Sequence, residues 1–352
     1  MTTPTLFEAE NVVWLRAGEA LAAAARREAA ELARRVNLEP DRIAEIGIAV
    51  TEAATNLIRH ADDGALALRV ISFGGRAAVE FLCLDHGPGI PDIGAALSDG
   101  TSSADTLGIG LGAVARLADT FDIYSVPGGT AVLARFRAPD SGADTDPEAD
   151  DALARVSGLT RPISGETVCG DTWAVRVDRA PGSGAGTLTV MMCDGLGHGP
   201  LAARVGERAR LSFREGPRRP PADILRNLHR DLRGTRGAAV AVAAVDLATH
   251  QVTLCGAGNI SAYVAGPDQR GALLSQPGIV GAQMPPPRVF SAPLPPGSAL
   301  ILHSDGLSDR WSPAAFPGLF ARLPAVIAGQ ILAHAGVRRD DAGIVVVAAP
   351  AR

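Results

Sequence analysis

The chain has 352 residues, more than one ordinary hydrophobic core supports, and the length points to two domains. Hydrophobic residues make up 47% and aromatics only 4%, so the interior is expected to be aliphatic and the class globular α/β. A formal net charge of -5 argues against nucleic acid, and no apolar run reaches the ~18 residues that span a bilayer, which argues against a membrane partner.

Thr5 to Leu15 alternates as a strand does, and Ala17 to Val36 is a run of strong helix formers. Asp41, after Pro40, is placed to cap a helix that runs to His60. Strands are expected at Ala65 to Phe73 and Ala77 to Leu84, joined by the hairpin signal Gly74-Gly75. The turn Asp85-His86-Gly87-Pro88-Gly89-Ile90-Pro91 follows, where glycines let the backbone approach a ligand closely. A polar stretch leads to Leu107-Gly108-Ile109-Gly110-Leu111-Gly112 and a helix through Ala118, a seat for phosphate at a helix start. Strands at Phe121 to Val126 and Thr130 to Phe136 close this half.

Residues 139–152 are dense in acid and poor in apolar side chains, and read as a solvated linker between domains 1–138 and 153–352. Beyond it, strands are expected at Trp173 to Val177, Leu188 to Cys193, Ala238 to Val245, Val252 to Cys255, Ser261 to Val264, Ala299 to His303 and Ile344 to Val347. Helices are expected at Leu201 to Phe213, Asp223 to Leu232 and Pro324 to Ala335, giving two sheets with helices outside. The run Pro277 to Pro296 reads as an irregular insertion or long hairpin. The cysteines Cys83, Cys169, Cys193 and Cys255 lack CxxC spacing and read as small hydrophobes. The amino terminus has no export signal, and a cytoplasmic chain is expected.

Two sets of residues carry chemistry. Glu52, Asn56 and His60 recur at a spacing of four, near one face of a helix whose other face carries Ile43, Ile46, Val50, Ala54, Leu57 and Ile58. A carboxylate and a carboxamide one turn apart suit a positioned water and a hard cation such as Mg²⁺. In the second half, acidic residues sit beside glycine at strand ends: Gly170-Asp171, Asp194-Gly195, Ser304-Asp305-Gly306 and Asp340-Asp341. Converging carboxylates are costly unless divalent cations neutralise them, and two metals about 4 Å apart activate a bridging water for attack on phosphorus.

Glu52 and Asn56, followed by Asp85-x-Gly87-x-Gly89 and Gly108-x-Gly110-x-Gly112, resemble the GHKL ATPase fold of histidine kinases and gyrase, in its anti-sigma-factor and serine-kinase branch. The resemblance implies a Bergerat-type α/β sandwich that binds ATP with Mg²⁺. By it, Glu52 is the general base, Asn56 the Mg²⁺ ligand and Asp85 the acceptor of the adenine amino hydrogen. Gly87 and Gly89 admit the base, Gly108, Gly110 and Gly112 hold the phosphates, and Thr130 lies near adenine. His60 is expected to be structural.

The second half resembles the protein phosphatase 2C-like family in its bacterial SpoIIE-like form, which implies an α-β-β-α sandwich with two Mn²⁺ or Mg²⁺ ions. By that resemblance Asp171, Asp194 and the Gly195 carbonyl bind the first metal, and Asp194, Asp305 and Asp340 the second. Gly256-Ala257-Gly258-Asn259-Ile260 matches a further family segment. Two departures stand out: no Thr ends Asp340-Asp341-Ala342-Gly343, and no early Arg offers a phosphate clamp. His198 is expected to support the site rather than act as general acid.

Together the resemblances imply a partner-switching regulator, a Ser/Thr kinase or anti-sigma module fused to a phosphoserine/phosphothreonine phosphatase. The implied partner is a STAS-type anti-sigma antagonist or its phosphorylated form, with a sigma factor as a second candidate and a homo-oligomer left open. Whether the first domain transfers phosphate, or binds ATP only to capture a partner, is also left open. A general nucleotide hydrolase is the weaker reading, because GHKL hydrolases use dimerisation and transducer domains and the next domain here resembles a phosphatase.

Overall fold

The computed structural model describes residues 5–9, 12–73, 76–98, 110–138, 151, 154–179 and 186–350. Gly108 and nearly all of the expected linker lie outside the described residues. The chain divides into two compact units, Ala9–Asp144 and Thr145–Arg352 with Met1–Glu8.

The first unit begins after β1 (Thr5–Ala9), with β2 (Val13–Arg16), α1 (Leu21–Arg35) and α2 (Pro40–His60). β3 (Ala65–Phe73), β4 (Arg76–Asp85), α3 (Ile93–Leu97), α4 (Leu111–Leu117), β5 (Thr120–Val126) and β6 (Gly129–Arg137) follow. Within this unit β2, β3, β4, β6 and β5 are antiparallel neighbours in that order. Leu21, Ala25, Ala29 and Leu32 of α1 and Ile46, Val50, Ala53 and Leu57 of α2 recur at three and four, forming one apolar stripe per helix. They pack with Leu66, Leu68 and Val70 of β3, Val79, Phe81 and Cys83 of β4, and Val132, Ala134 and Phe136 of β6, the period-two faces of three strands.

Two expectations for α2 change. Ile58 is 41% exposed, because the stripe leaves the core after Leu57. Asp41 is not the cap: Glu39 is, without a side-chain bond, Pro40 fills the first turn, and Asp41 adds its charge at the positive helix end. On the sheet face opposite the core stripe, Glu80 accepts from Arg69 Nε at 2.8 Å and from Arg135 Nε at 2.5 Å. Both arginines are its direct cross-strand neighbours, so this ion triad is a product of register.

The second unit contains β7 (Val156–Arg161), β8 (Asp171–Arg179), β9 (Gly186–Gly195), α5 (Gly199–Glu215), α6 (Pro221–Asp231), β10 (Ala238–Asp246) and β11 (Gln251–Ala257). It continues with β12 (Ser261–Ala265), β13 (Arg270–Leu273), β14 (Phe290–Pro293), β15 (Ala299–His303), α7 (Pro324–Ala335) and β16 (Ala342–Ala348). One sheet runs β14-β11-β10-β9-β8 and the other β13-β12-β15-β16-β7. The sheets pack face to face through β8, β9, β7 and β16, with α5 and α6 outside the first and α7 outside the second. This is the α-β-β-α sandwich. Its two sheets approach closely where two strands carry glycine: a Cβ at Gly158 would lie 2.6 Å from Trp173, and one at Gly343 2.2 Å from the Met192 methyl.

β1 departs from the single strand expected over Thr5 to Leu15. Thr5, Leu6 and Phe7 pair with Val177, Arg176 and Val175 of β8, and the Phe7 ring lies 5.3 Å from Trp173, so β1 extends the second unit's first sheet. β7, β13 and β14 were not among the expected strands. The proline-rich run is largely irregular, and β14 at its end pairs with β11.

Candidate active sites

In the first unit, Glu52 and Asn56 lie one turn apart on α2, both half-buried, and His60 is exposed. Burial raises the Glu52 carboxyl above its ordinary range, and the nearby charge of Arg59 opposes the rise. β4 ends at Asp85, directly opposite Thr130 of β6. Asp85 Oδ1 accepts from Gly87 N–H at 2.8 Å and Thr130 N–H at 3.2 Å, while Oδ2 has no partner among the described residues. Burial is the main force on Asp85 and raises its pKa; the two backbone bonds oppose it.

The turn after Asp85 is fixed by backbone. His86 N–H donates to Asp62 O at 3.0 Å, and Gly128 N–H to Gly87 O at 3.1 Å, which ties the turn to the end of α2 and to the β5–β6 hairpin. Gly89 has φ +81, and a Cβ there would lie 2.6 Å from Val126 O, so only glycine fits without backbone movement. Thr130 Oγ1 is 2.8 Å from Ser125 Oγ, which accepts from Ile90 N–H at 2.7 Å. The fold therefore gathers Asp85, Gly87, Gly89 and Thr130 at one end of α2. Gly110 caps α4, and Gly112 lies in its first turn against Leu97. Ser125 was missed by sequence reasoning; its position opposite Thr130 in the hairpin register is the signal that would have found it.

In the second unit, Asp171 opens β8 and Asp194 lies near the end of β9, paired directly across the strands. Asp171 is 4% exposed; its Oδ2 accepts from Ser304 Oγ at 2.5 Å, and its Oδ1 is buried without a partner. Burial, then the charge of Asp194, raises the Asp171 carboxyl well above its usual range. Asp194 is pushed up to about 7, first by burial and then by Asp305 and Asp340. Asp305 is raised by burial and by Asp340, and its Oδ2 accepts from Asn259 Nδ2 at 2.5 Å.

The Asp340-Asp341 pair divides its work. Asp341 is buried, with both oxygens committed to backbone, Oδ1 to Ile163 N–H and Oδ2 to Gly170 N–H, each at 2.7 Å. Asp340 is exposed, and its Oδ1 accepts the Asp341 amide at 2.9 Å. His198 caps α5 without a cap bond, and its Nδ1 lies 3.3 Å from Glu166 Oε1, a partner sequence reasoning missed. Ser304 was missed as well, being 133 positions from the carboxylate it serves.

Among the described residues no three His, Cys, Asp or Glu side chains form a preformed metal cage. The chemistry of the set nevertheless fits hard divalent cations. The donors are oxygens, one buried carboxylate oxygen is orphaned, and Asp194, Asp305 and Asp340 each raise a neighbour's affinity for a positive charge.

Fold and sites define a two-domain α/β protein, a GHKL-type sandwich joined to a protein phosphatase 2C-type sandwich. Residues 15–136 match the histidine kinase-like ATPase domain and residues 184–346 match Stage II sporulation protein E. Over 92 residues the chain is 38% identical to the serine/threonine-protein kinase RsbT of Bacillus subtilis (strain 168), covering 26% of this chain and 69% of that one. The chain belongs to the histidine kinase-like ATPase family, and carries the SpoIIE domain in the same polypeptide. A solved structure from work on the bacterial stressosome is 30% identical, with a TM-score of 0.47, covering 54% of this chain and 97% of that chain. RsbX in complex with magnesium is 20% identical, with a TM-score of 0.46, covering 54% of this chain and 94% of that chain.

Proposed function

We propose that this chain is a bifunctional partner-switching regulator of the cytoplasm: an ATP-dependent Ser/Thr kinase and a Mn²⁺- or Mg²⁺-dependent phosphoserine/phosphothreonine phosphatase. Its substrate is a STAS-type anti-sigma antagonist, phosphorylated by one domain and dephosphorylated by the other. The observation that carries this reading is the joining of a kinase-like ATPase domain with 38% identity to RsbT to a SpoIIE domain in one polypeptide.

In the first domain, Asp85 Oδ2 is the free acceptor for an adenine amino group, with Gly87, Gly89 and Thr130 around it. Asn56 holds Mg²⁺, and Gly108, Gly110 and Gly112 hold the phosphates. Glu52, its carboxyl raised by burial, orients and deprotonates the attacking hydroxyl; a pKa nearer neutrality makes a better base. In the second domain Asp171, Asp194 and the Gly195 carbonyl hold one metal, and Asp194, Asp305 and Asp340 the other. Bound metals supply an activated water and charge neutralisation. Ser304 and Asn259 orient the carboxylates through their hydrogen bonds.

Two assays on the intact chain test the two halves. Mixed with phosphorylated STAS protein and Mn²⁺, the chain releases phosphate and Asp194→Asn does not; equal activity in the two sinks the phosphatase. With γ-labelled ATP and unphosphorylated STAS protein, the chain labels its partner and Glu52→Gln does not. ATP binding without labelled product turns the first domain into a capturing module for a sigma factor or antagonist.

A further inference from the structure

The phosphatase reading leaves one chemical need unmet. A phosphate monoester carries up to two negative charges and three exposed oxygens, and the residues assigned so far are carboxylates. Metals held by Asp171 and Asp194 would neutralise part of that charge. A cationic donor is the strongest partner for the oxygens that remain.

Pairing of β10 with β9 ends with Ala238 opposite Gly195. One further bond, Leu196 N–H to Gly237 O at 3.1 Å, carries the alignment past the strand ends. Arg236 therefore stands beside Gly197, three residues from Asp194. Gly197 has φ +94, and a Cβ there would lie 3.1 Å from Arg236 Nη1, so the absent side chain leaves room for the guanidinium over this loop.

The backbone beneath Arg236 is fixed on both sides. Thr235 Oγ1 donates to Leu232 O at 2.6 Å and accepts from Gly237 N–H at 3.1 Å. Ala238 and Val280 exchange backbone bonds of 3.0 and 2.9 Å. The side chain is exposed and, among the described residues, has neither an ion-pair nor a hydrogen-bond partner. An arginine without a carboxylate partner, held over the Gly197 loop three residues from Asp194, has its planar fork open to an incoming anion.

The surroundings suit a protein substrate. Leu196 and Ile279 are each 36% exposed, and Ile279 packs so close to Gly237 that a Cβ there would lie 2.5 Å from its methyl. They flank Arg236 with apolar surface for the residues next to a phosphorylated side chain. We propose that Arg236 binds the substrate's phosphate, with Leu196 and Ile279 as the apolar lip that receives the flanking segment. The assignment rests on the phosphatase reading.

The test uses the intact chain, Mn²⁺, a phosphoserine peptide, and inorganic phosphate as competing product. Arg236→Ala is expected to lower kcat/KM by about 10- to 100-fold and to weaken inhibition by inorganic phosphate by a similar factor. Arg236→Lys should recover part of both. Mn²⁺ affinity, titrated by electron paramagnetic resonance, should stay unchanged, as should activity in Arg233→Ala, which removes the same charge three residues earlier. Arg236→Ala within about twofold of the unaltered chain on kcat/KM and phosphate inhibition overturns the assignment, as does an equal loss in Arg233→Ala. No phosphate release by the unaltered chain overturns the phosphatase reading itself, and this assignment with it.

Discussion

Asp171 and Asp194 face each other directly across β8 and β9, and the charge of Asp194 adds to burial in raising the Asp171 carboxyl. The folded chain thus holds two partly buried carboxylates where like charges repel. The pair is stable with a shared proton or with a cation between them.

Burial of Asp194, with the charges of Asp305 and Asp340, sets a pH dependence. Asp194 has a folded pKa of about 7, and an unfolded carboxylate about 3.9, so between these values the folded chain holds a proton that the unfolded chain lacks. That contribution is present in full below the unfolded value and is lost as pH rises through about 7. The metal-free chain should melt at a lower temperature at pH 8 than at pH 6. Mn²⁺ should raise the melting temperature, more so at pH 8. Asp194→Asn should flatten the pH profile and abolish the Mn²⁺ shift; a melting temperature indifferent to Mn²⁺ counts against a metal at this pair.

Ser304 offers a second test, because its Oγ donates to Asp171 Oδ2 at 2.5 Å and accepts from Gly343 N–H at 2.9 Å. Ser304→Ala leaves a buried carboxylate oxygen and a backbone amide without partners. Mn²⁺ affinity should fall about 10- to 100-fold, the usual cost of losing a group that orients a ligand. Isothermal titration reads this directly, and an unchanged affinity would show that Asp171 is held in place by other means.

The acidic ends of β8, β9 and β15 were legible in the sequence because strand ends beside glycine announce themselves locally. Their supports were not. Ser304 serves Asp171 across 133 positions and Asp341 reaches Gly170 across 171, distances no local pattern encodes. β14 contains Pro293, a residue that argues against a strand and is tolerated here at a sheet edge. Arg69 and Arg176 lie within expected strands and both are buried: Arg69 meets Glu80 only once β3 and β4 are in register, whereas Arg176 has Asp178 two residues along its own strand. In the ATP-site half the glycines and Asp85 were legible, and Ser125 was not, since its role depends on standing opposite Thr130.

The glycines at α4 separate shape from chemistry. A Cβ at Gly112 would lie 2.4 Å from Leu97 O, whereas one at Gly110 meets nothing within 4 Å. Gly112→Ala should cost about 1–3 kcal/mol of stability, because backbone must move to admit it. Gly110→Ala should leave stability unchanged, and a loss of affinity for a fluorescent ATP analogue in that variant would assign Gly110 to the nucleotide site. Equal melting temperatures for the two variants would contradict the packing.

Arg176 ties β8 to the end of α5. It is 1% exposed, its Nη1 donates to Phe213 O and Gly216 O, each at 2.7 Å, and its Nη2 to Pro217 O at 3.1 Å. Its Nε lies 3.0 Å from Asp178, and its guanidinium lies 5.0 Å from the Phe213 ring centre. Burial lowers its pKa and Asp178 opposes that change, so the residue is a desolvated cation stabilised by its partners. A helix end leaves carbonyls without amides, and here one side chain satisfies Phe213 O in the last turn together with Gly216 O at the cap and Pro217 O just beyond it. Arg176→Ala removes that cap and leaves Asp178 buried without its partner, which should cost about 3–5 kcal/mol. Replacing both members, as Arg176→Met with Asp178→Leu, should cost less than the single change, because no uncompensated charge remains. Urea unfolding followed by the fluorescence of Trp173, three residues earlier on β8, reads both variants. A double variant no more stable than Arg176→Ala would mean that the carbonyl cap, and not the buried charge, carries the cost.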